Sequence, residues 1–263
     1  MLKKRLIPKL LILHRALGKS VRPVLVTTTG YTQSHDTGDP VSQAKIYEAQ
    51  LADELIVLNI DGTAISDDPL MLGLIERLAS ETFMPLAIGG GVRAVDDFAL
   101  LLERGADKVS INTAALDDPG LIGAAAHRYG AQCVVVSIDF RTGENGAPFV
   151  VRDRGRTPVV RTPLDWAKEA VARGAGELLL CDADRDGSGN GLNWQVCLEI
   201  ADTVSVPVII SGGCGRAEHF VEGFVRGHAE GVAAGTYFCF RDQNPMQARA
   251  HIRNAGVAIR MET

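Results

Sequence analysis

No excess of positive charge marks this chain. Lys and Arg number 27 against 32 Asp and Glu, a net charge of -5 with a pI near 5.7, which argues against a nucleic-acid partner. No run of 18 apolar residues occurs, so no membrane-spanning helix is expected. The opening does not fit a secretory leader: Lys3, Lys4 and Arg5 precede an apolar stretch that Pro8 and His14 break. Cysteine is sparse. Cys133, Cys181, Cys197, Cys214 and Cys239 are odd in number and lack CxxC spacing, which speaks against a disulfide framework or a metal knuckle. They are expected to be reduced, mostly buried thiols of a cytoplasmic protein, with no metal and no cofactor required.

The chain does contain the same segment twice. Residues 85–116 align with residues 207–238 without a gap, at an offset of 122. Pro85 matches Pro207, Gly90 and Gly91 match Gly212 and Gly213, Phe98 matches Phe220, and Arg104-Gly105 matches Arg226-Gly227. Each copy reads as a buried strand, a glycine turn, a helix and another buried strand.

Eight apolar runs have strand length: 5–13, 54–60, 86–89, 108–112, 133–139, 177–182, 206–211 and 231–235. Most are continuous rather than alternating, as parallel strands covered on both faces should be. Helical periods follow at 39–49, 95–103, 119–128, 163–173, 193–202, 216–225 and 244–254. At the first, Asp39-Pro40 supplies an N-cap and a proline at the first helical position. This alternation, in 263 residues, predicts an α/β fold: a single (β/α)8 TIM barrel, for which roughly 250 residues are typical. The repeat predicts two duplicated half-barrels, about 1–127 and 128–263. Two connections are long, 13–39 and 140–162. Each follows the first strand of its half, and both are read as substrate loops, the second with a hairpin near Gly143 and Gly146.

Backbone N–H groups at the turns Gly89-Gly90-Gly91 and Ser211-Gly212-Gly213 suit phosphate. The strand ends Asn112-Thr113 and Gly235-Thr236 come next around the barrel and add donors to the same two pockets. Tight βα turns also need glycine. The doubling nevertheless favours a phosphorylated small molecule with two phosphates, one per half. Carboxylates at strand ends are the other constellation: Asp139 ends one strand, and Asp182, Asp184 and Asp186 follow another. Such groups point into a barrel's mouth and can do acid–base work. The first strand of half two aligns with that of half one at an offset of 128, so Asp139 corresponds to Leu11. A mechanism needing one carboxylate from each half has lost one.

These motifs resemble the cyclase subunit family of imidazole glycerol phosphate synthase. The resemblance spans nearly the whole chain: MLKKRLIP at the start, GDP at 38–40, GGGVR at 89–93, RGADKVSINTAA at 104–115, DRDG at 184–187 and SGGCG at 211–215. It implies a TIM barrel that receives ammonia from a glutaminase subunit docked at its N-terminal face. In the family the ammonia crosses the core, and a bis-phosphorylated ribulosyl substrate is split and cyclised at the top. By this resemblance the phosphate turns are Gly90, Gly91, Asn112, Gly212, Gly213 and Thr236, and the substrate-loop lysine is Lys19. Asp139 is the catalytic carboxylate, Asp186 its support, and Arg5, Glu54, Lys108 and Glu177 the ammonia gate. Read on their own, those four charges begin apolar strands and would be solvated strand starts.

The chain departs from the family pattern where chemistry is concentrated. Leu11 replaces the half-one acid/base, Lys9 a cysteine, Asn59 an aspartate and Cys181 a threonine. The KKRLIPKLLIL segment resembles a divergent paralogue found with polysaccharide biosynthesis enzymes. That resemblance implies ammonia delivery toward a separate amidotransferase that modifies a nucleotide-linked sugar. Three readings stay open: an ammonia-receiving barrel for sugar amidation, an authentic cyclase with altered acid–base groups, and a non-catalytic binding subunit.

Overall fold

The apolar runs pair side by side as a closed parallel barrel. The computed structural model describes residues 3–240 and 244–260; the first two residues of the MLKKRLIP segment lie outside them. The strands are β1 (Arg5–Leu17), β2 (Ser20–Thr29), β3 (Gln33–Gly38), β4 (Leu55–Asn59), β5 (Leu86–Gly89), β6 (Lys108–Ile111), β7 (Val134–Thr142), β8 (Pro148–Arg152), β9 (Thr157–Pro158), β10 (Glu177–Asp182), β11 (Val208–Ser211) and β12 (Gly231–Ala234). The helices are α1 (Pro40–Ala49), α2 (Pro69–Glu81), α3 (Val95–Leu102), α4 (Thr113–Asp117), α5 (Gly120–Tyr129), α6 (Pro163–Ala172), α7 (Trp194–Ala201), α8 (Ala217–Val225), α9 (Thr236–Phe240) and α10 (Pro245–Asn254).

The barrel runs β1-β4-β5-β6-β7-β10-β11-β12 and closes back on β1. Following the register once around it from Lys9 returns to β1 eight residues earlier. Eight strands with a shear of about eight define the TIM barrel. Alternation along each strand splits the core in two. Ile7, Ile56, Ala87, Val135, Leu179, Ile209 and Ala233 point inward and fill the barrel. Leu6, Leu10, Val57, Ile88, Val136 and Leu178 point outward and pack with the helices. Period-two alternation therefore serves two apolar layers, which is why the strands read as continuous apolar runs.

The structure corrects two expectations. The 13–39 connection is not an open loop. β1 continues past the barrel rim to Leu17, and β2 returns antiparallel, pairing Leu11 with Val26 and Leu17 with Ser20. β3 then pairs with β2. The β-branched run VRPVLVTTT favours strand here. Helix α2 was not anticipated. Asp68 caps it by accepting from Met71 N at 2.9 Å, and Pro69 begins it. The expected hairpin in the second connection is present, with β7 and β8 paired around Gly143 and Gly146.

The two glycine turns have matching geometry. Gly90 (φ +89°) and Gly212 (φ +95°) press on the carbonyl oxygens of the preceding strand ends. A Cβ there would lie 1.9 Å from Asn59 O and 2.5 Å from Asp182 O. A Cβ at Gly91 or Gly213 would likewise fall 2.1 Å from Thr63 O or 2.3 Å from Gly191 O. Glycine is required at these positions whatever they bind. Gly90→Ala is therefore expected to lose at least the ~1–3 kcal/mol of a strained backbone site. Urea unfolding measures this, and a variant as stable as the parent would show that the turn relaxes freely.

Candidate active site at the barrel mouth and floor

The floor is a closed ring of four charges. Arg5 donates to Glu54 at 2.6 Å and also to Glu177; Lys108 donates to Glu54 at 2.9 Å and to Glu177 at 2.7 Å. Each carboxylate thus meets both cations. Glu54 and Glu177 are buried while Arg5 and Lys108 keep partial contact with solvent. The expectation that these four are solvated strand starts does not hold for the two glutamates. Above the ring lies the inward apolar layer, and among the described residues Lys9 is the next charge on the barrel's inner face.

Lys9 is a buried amine facing the barrel interior, 6% exposed. Burial alone would lower its pKa. Cys181, Asp186 and Asp139 more than offset this and hold it above its ordinary value. Burial pushes the Cys181 thiol up to about 11, so it is neutral at pH 7 and the two carboxylates carry the effect. Asp139 is buried beside Lys9. Burial raises its pKa to about 6, opposed by Lys9, by the Ser137 hydroxyl at 3.3 Å and by the Tyr31 phenol. A carboxyl in this range exchanges protons near neutral pH.

Tyr31 carries no signal in the sequence pattern. It sits at φ +64° in the β2–β3 turn and packs on the inner barrel core, its phenol directed at Asp139 and Cys181. Asp186 holds that turn. It accepts from the Thr28 hydroxyl at 2.6 Å, and its backbone carbonyl accepts from Gly30 N at 3.0 Å. Asp182 serves as a turn cap, accepting from the N–H groups of Asp184 and Arg185 and from Asn193 Nδ2. Asp184 pairs with Arg141. Of Asp182, Asp184 and Asp186, Asp186 lines the smaller of two cavities at the mouth.

Two cavities open at the mouth. The larger, about 580 Å³, is lined by Asp139, Tyr31, the Gly90-Gly91 turn, Asn112 and Thr113. The smaller, about 20 Å³, is lined by Asp186, Ser211, Gly212, Gly213, Gly235 and Thr236. The structure thus brings the expected phosphate residues together in two groups, and Asp139 and Asp186 line different cavities while both act on Lys9. Leu11 lines both cavities, its backbone opposite Val26. Lys19 is exposed at the β1–β2 turn and lines neither. In half one, Asn59 donates to Asp68 at 2.9 Å and accepts from Asp61 N, and His14 lies between Asp61 and Asp68.

A family model described as histidine biosynthesis protein matches residues 8–244. Over 262 residues the chain is 47% identical to a chain of Prochlorococcus marinus (strain MIT 9313) provisionally named imidazole glycerol phosphate synthase subunit hisF2; the match covers 100% of both. The chain belongs to the histidine biosynthesis protein family. Within that family it is a barrel of the imidazole glycerol phosphate synthase cyclase-subunit type. All five cysteines of this family member are free, and among the described residues no helix is long and apolar enough to cross a membrane.

The raised pKa of Asp139 has a pH signature. Its ordinary value is 3.8 and its folded value about 6. As pH falls through about 6 the native state binds a proton that the unfolded chain takes up only near 3.8. Asp139 therefore adds stability on acidification across that window and costs stability above it. The shift corresponds to no more than about 3 kcal/mol. Asp139→Asn is expected to flatten the fall in unfolding free energy between pH 4 and pH 7. Parallel pH profiles for parent and variant, followed by urea unfolding, would show that Asp139 is not held neutral by burial.

Proposed function

We propose that this barrel is the ammonia-receiving subunit of a cytoplasmic glutamine amidotransferase, with its own cyclase chemistry weak or lost. The observation that carries this reading is a contrast between the two ends of the barrel. The floor ring of Arg5, Glu54, Lys108 and Glu177 is complete and neutral, beneath an apolar layer. At the mouth, a leucine stands where half one would supply a second carboxylate, under an ordered strand. Partly buried charges need partners to offset desolvation, and an idle barrel gains nothing from arranging four around its axis. A glutaminase subunit at the N-terminal face would deliver neutral ammonia through the ring. The name of the Prochlorococcus marinus relative, a synthase subunit, supports such a partner.

On this reading Asp139 is the remaining acid/base, Asp186 fixes the turn above it, and the Gly90-Gly91 turn with Asn112 and Thr113 faces a phosphorylated ligand. Resemblance of the amino-terminal segment to paralogues found with polysaccharide enzymes directs the nitrogen toward a nucleotide-linked sugar, through a separate sugar amidotransferase. A second reading, an authentic cyclase of histidine biosynthesis, draws on the full-length match and on Lys9 beside Asp139. Complementation of a histidine auxotroph would favour it. Half one and half two, about 1–127 and 128–263, are on either reading one duplicated unit.

Two outcomes test the proposal. A positioned acid or base is worth roughly 10²–10⁴ in rate, so the protein with ammonium salts should turn over the family's bis-phosphorylated ribulosyl substrate at least ~10² more slowly than a barrel retaining both carboxylates. Comparable turnover would reject the reading. Glu177→Leu leaves Arg5 and Lys108 sharing Glu54. In the complex with its glutaminase, glutamine hydrolysis should continue while less nitrogen reaches product, and free ammonium should not show the defect. An unchanged ratio of glutamate to product would leave the ring without a role in transfer.

A further inference from the structure

Three side chains meet at the half-one rim, and none of them lines either mouth cavity. His14 stands on the part of β1 that overhangs the barrel, Asp61 follows β4, and Asp68 caps α2. One donor atom from each lies within 4.8 Å of the other two. Two ligands on opposite sides of one ion are about 4.2–4.4 Å apart when each bond is about 2.1–2.2 Å, so a single cation can serve such a group.

The charges in this group do not balance. Among the described residues no Lys or Arg pairs with the carboxylate of Asp61 or Asp68, and His14 is their one cationic partner. Two carboxylates and a protonated imidazole leave one negative charge. Two carboxylates, a neutral imidazole and a divalent cation leave none. Asp68 is 3% exposed, so an uncompensated charge there is costly.

The hydrogen bonds leave one ring nitrogen over. Asp61 takes His14 Nδ1 on one oxygen, and its other oxygen accepts from Thr63 N at 2.9 Å. With Nδ1–H given to Asp61, Nε2 carries a lone pair. That nitrogen is fully buried, makes no hydrogen bond, and faces Asp68 Oδ1 at 3.3 Å. A buried lone pair beside a buried carboxylate is unfavourable unless a cation joins them. Bonds of about 2.1 Å to donors 3.3 Å apart subtend roughly 100° at the ion, near the tetrahedral angle. Asp68 is already oriented, because Asn59 Nδ2 donates to one oxygen and Met71 N to the other, each at 2.9 Å. A carboxylate on the far ring nitrogen is the usual device for fixing the tautomer of a metal-binding histidine.

We propose that His14 Nε2 and Asp68 Oδ1 bind a zinc ion, with Asp61 orienting the imidazole and water completing the shell. Imidazole with carboxylate suits zinc, whereas magnesium and calcium take oxygen ligands. The ion ties the β1 overhang to the start of α2, and so braces the strand on which β2 is laid. The site goes beyond nitrogen transfer and does not depend on it.

Zinc titrated into the chelator-treated full-length protein tests this, with bound metal measured by atomic emission and stability by thermal unfolding. One zinc should bind per chain at micromolar concentrations, and Tm should rise with zinc concentration. Magnesium should leave Tm unchanged. His14→Gln should abolish the site. Asp61→Asn should weaken zinc by roughly 10–100-fold, the effect of losing an orienting partner. Asp68→Asn keeps the helix cap, because Asn caps as well as Asp, yet should lose zinc at least about tenfold. This variant and Asp61→Asn decide the matter if His14→Gln fails to fold. His251→Gln, on α10 beside Glu218, should bind zinc as the parent does. No zinc bound at micromolar concentrations would leave an imidazolium between two carboxylates and overturn the proposal. So would unchanged zinc affinity in Asp68→Asn and Asp61→Asn, which would put the ion elsewhere, or a loss of binding in His251→Gln.

Discussion

The over-long first strand is the constraint on which the mouth depends. In its first half β1 is an ordinary barrel strand, paired with β12 and β4. From Leu11 onward it also serves as template for β2, above the rim. The second pairing makes the leucine at position 11 intelligible. Leu11 is 7% exposed beneath β2, a place where an apolar side chain needs no partner and a carboxylate would. Once β2 lies on β1, the β2–β3 turn is carried inward, Tyr31 packs against the inner barrel core, and Val26, Thr27 and Thr28 line the half-two cavity. One ladder thus covers Leu11, brings in a phenol and borders the smaller cavity.

Electrostatics follow the barrel axis in layers. The floor ring alternates in sign, so each buried glutamate has two cations and desolvation is offset within the layer. The apolar layer above it offers nothing to an ion. Lys9 then presents a positive charge held in place by Asp139 and Asp186 rather than by direct ion pairs. On the proposed reading this order suits neutral ammonia. A cation from below meets a neutralised ring, a low-dielectric stretch and a like charge, whereas a small neutral molecule meets only the steric gap between side chains. Asp139 lies beside that exit, with a pKa of about 6 that lets it accept or release a proton at neutral pH.

Most of the barrel was legible because its signals are local and repeated. Continuous apolar runs mark strands that are covered twice, and Asp39-Pro40 or Asn193 marks a helix start by its capping chemistry. The repeat located both glycine turns, and the offset between first strands exposed Leu11. The segment between β1 and α1 was misread because a long connection without helical period looks like a loop, although its β-branched threonines and valines carry strand propensity. Helix α2 carries the same Asp-Pro start as α1, at Asp68-Pro69, so its signal is local as well. Tyr31, Arg93, Arg154 and Arg156 could not be read at all. Their meeting around one cavity is a tertiary property with no spacing in the chain.

The duplication explains why the asymmetry matters. Backbone geometry at the two turns is nearly the same, down to glycines pressed on the preceding strand end. That sameness is enforced by packing and would persist whether or not phosphate were bound. Selection on the ligand would act instead on what lies above each turn, where no close backbone contact fixes the answer. Beside the half-two turn lies β2, held by Asp186, and beside the half-one turn a wider cavity lined by both arginines and aspartates. Asp139 belongs by sequence to half two, yet its carboxyl faces the half-one cavity. Asp139 and the Gly90-Gly91 turn therefore line one cavity, although the backbones of the two glycine turns are alike.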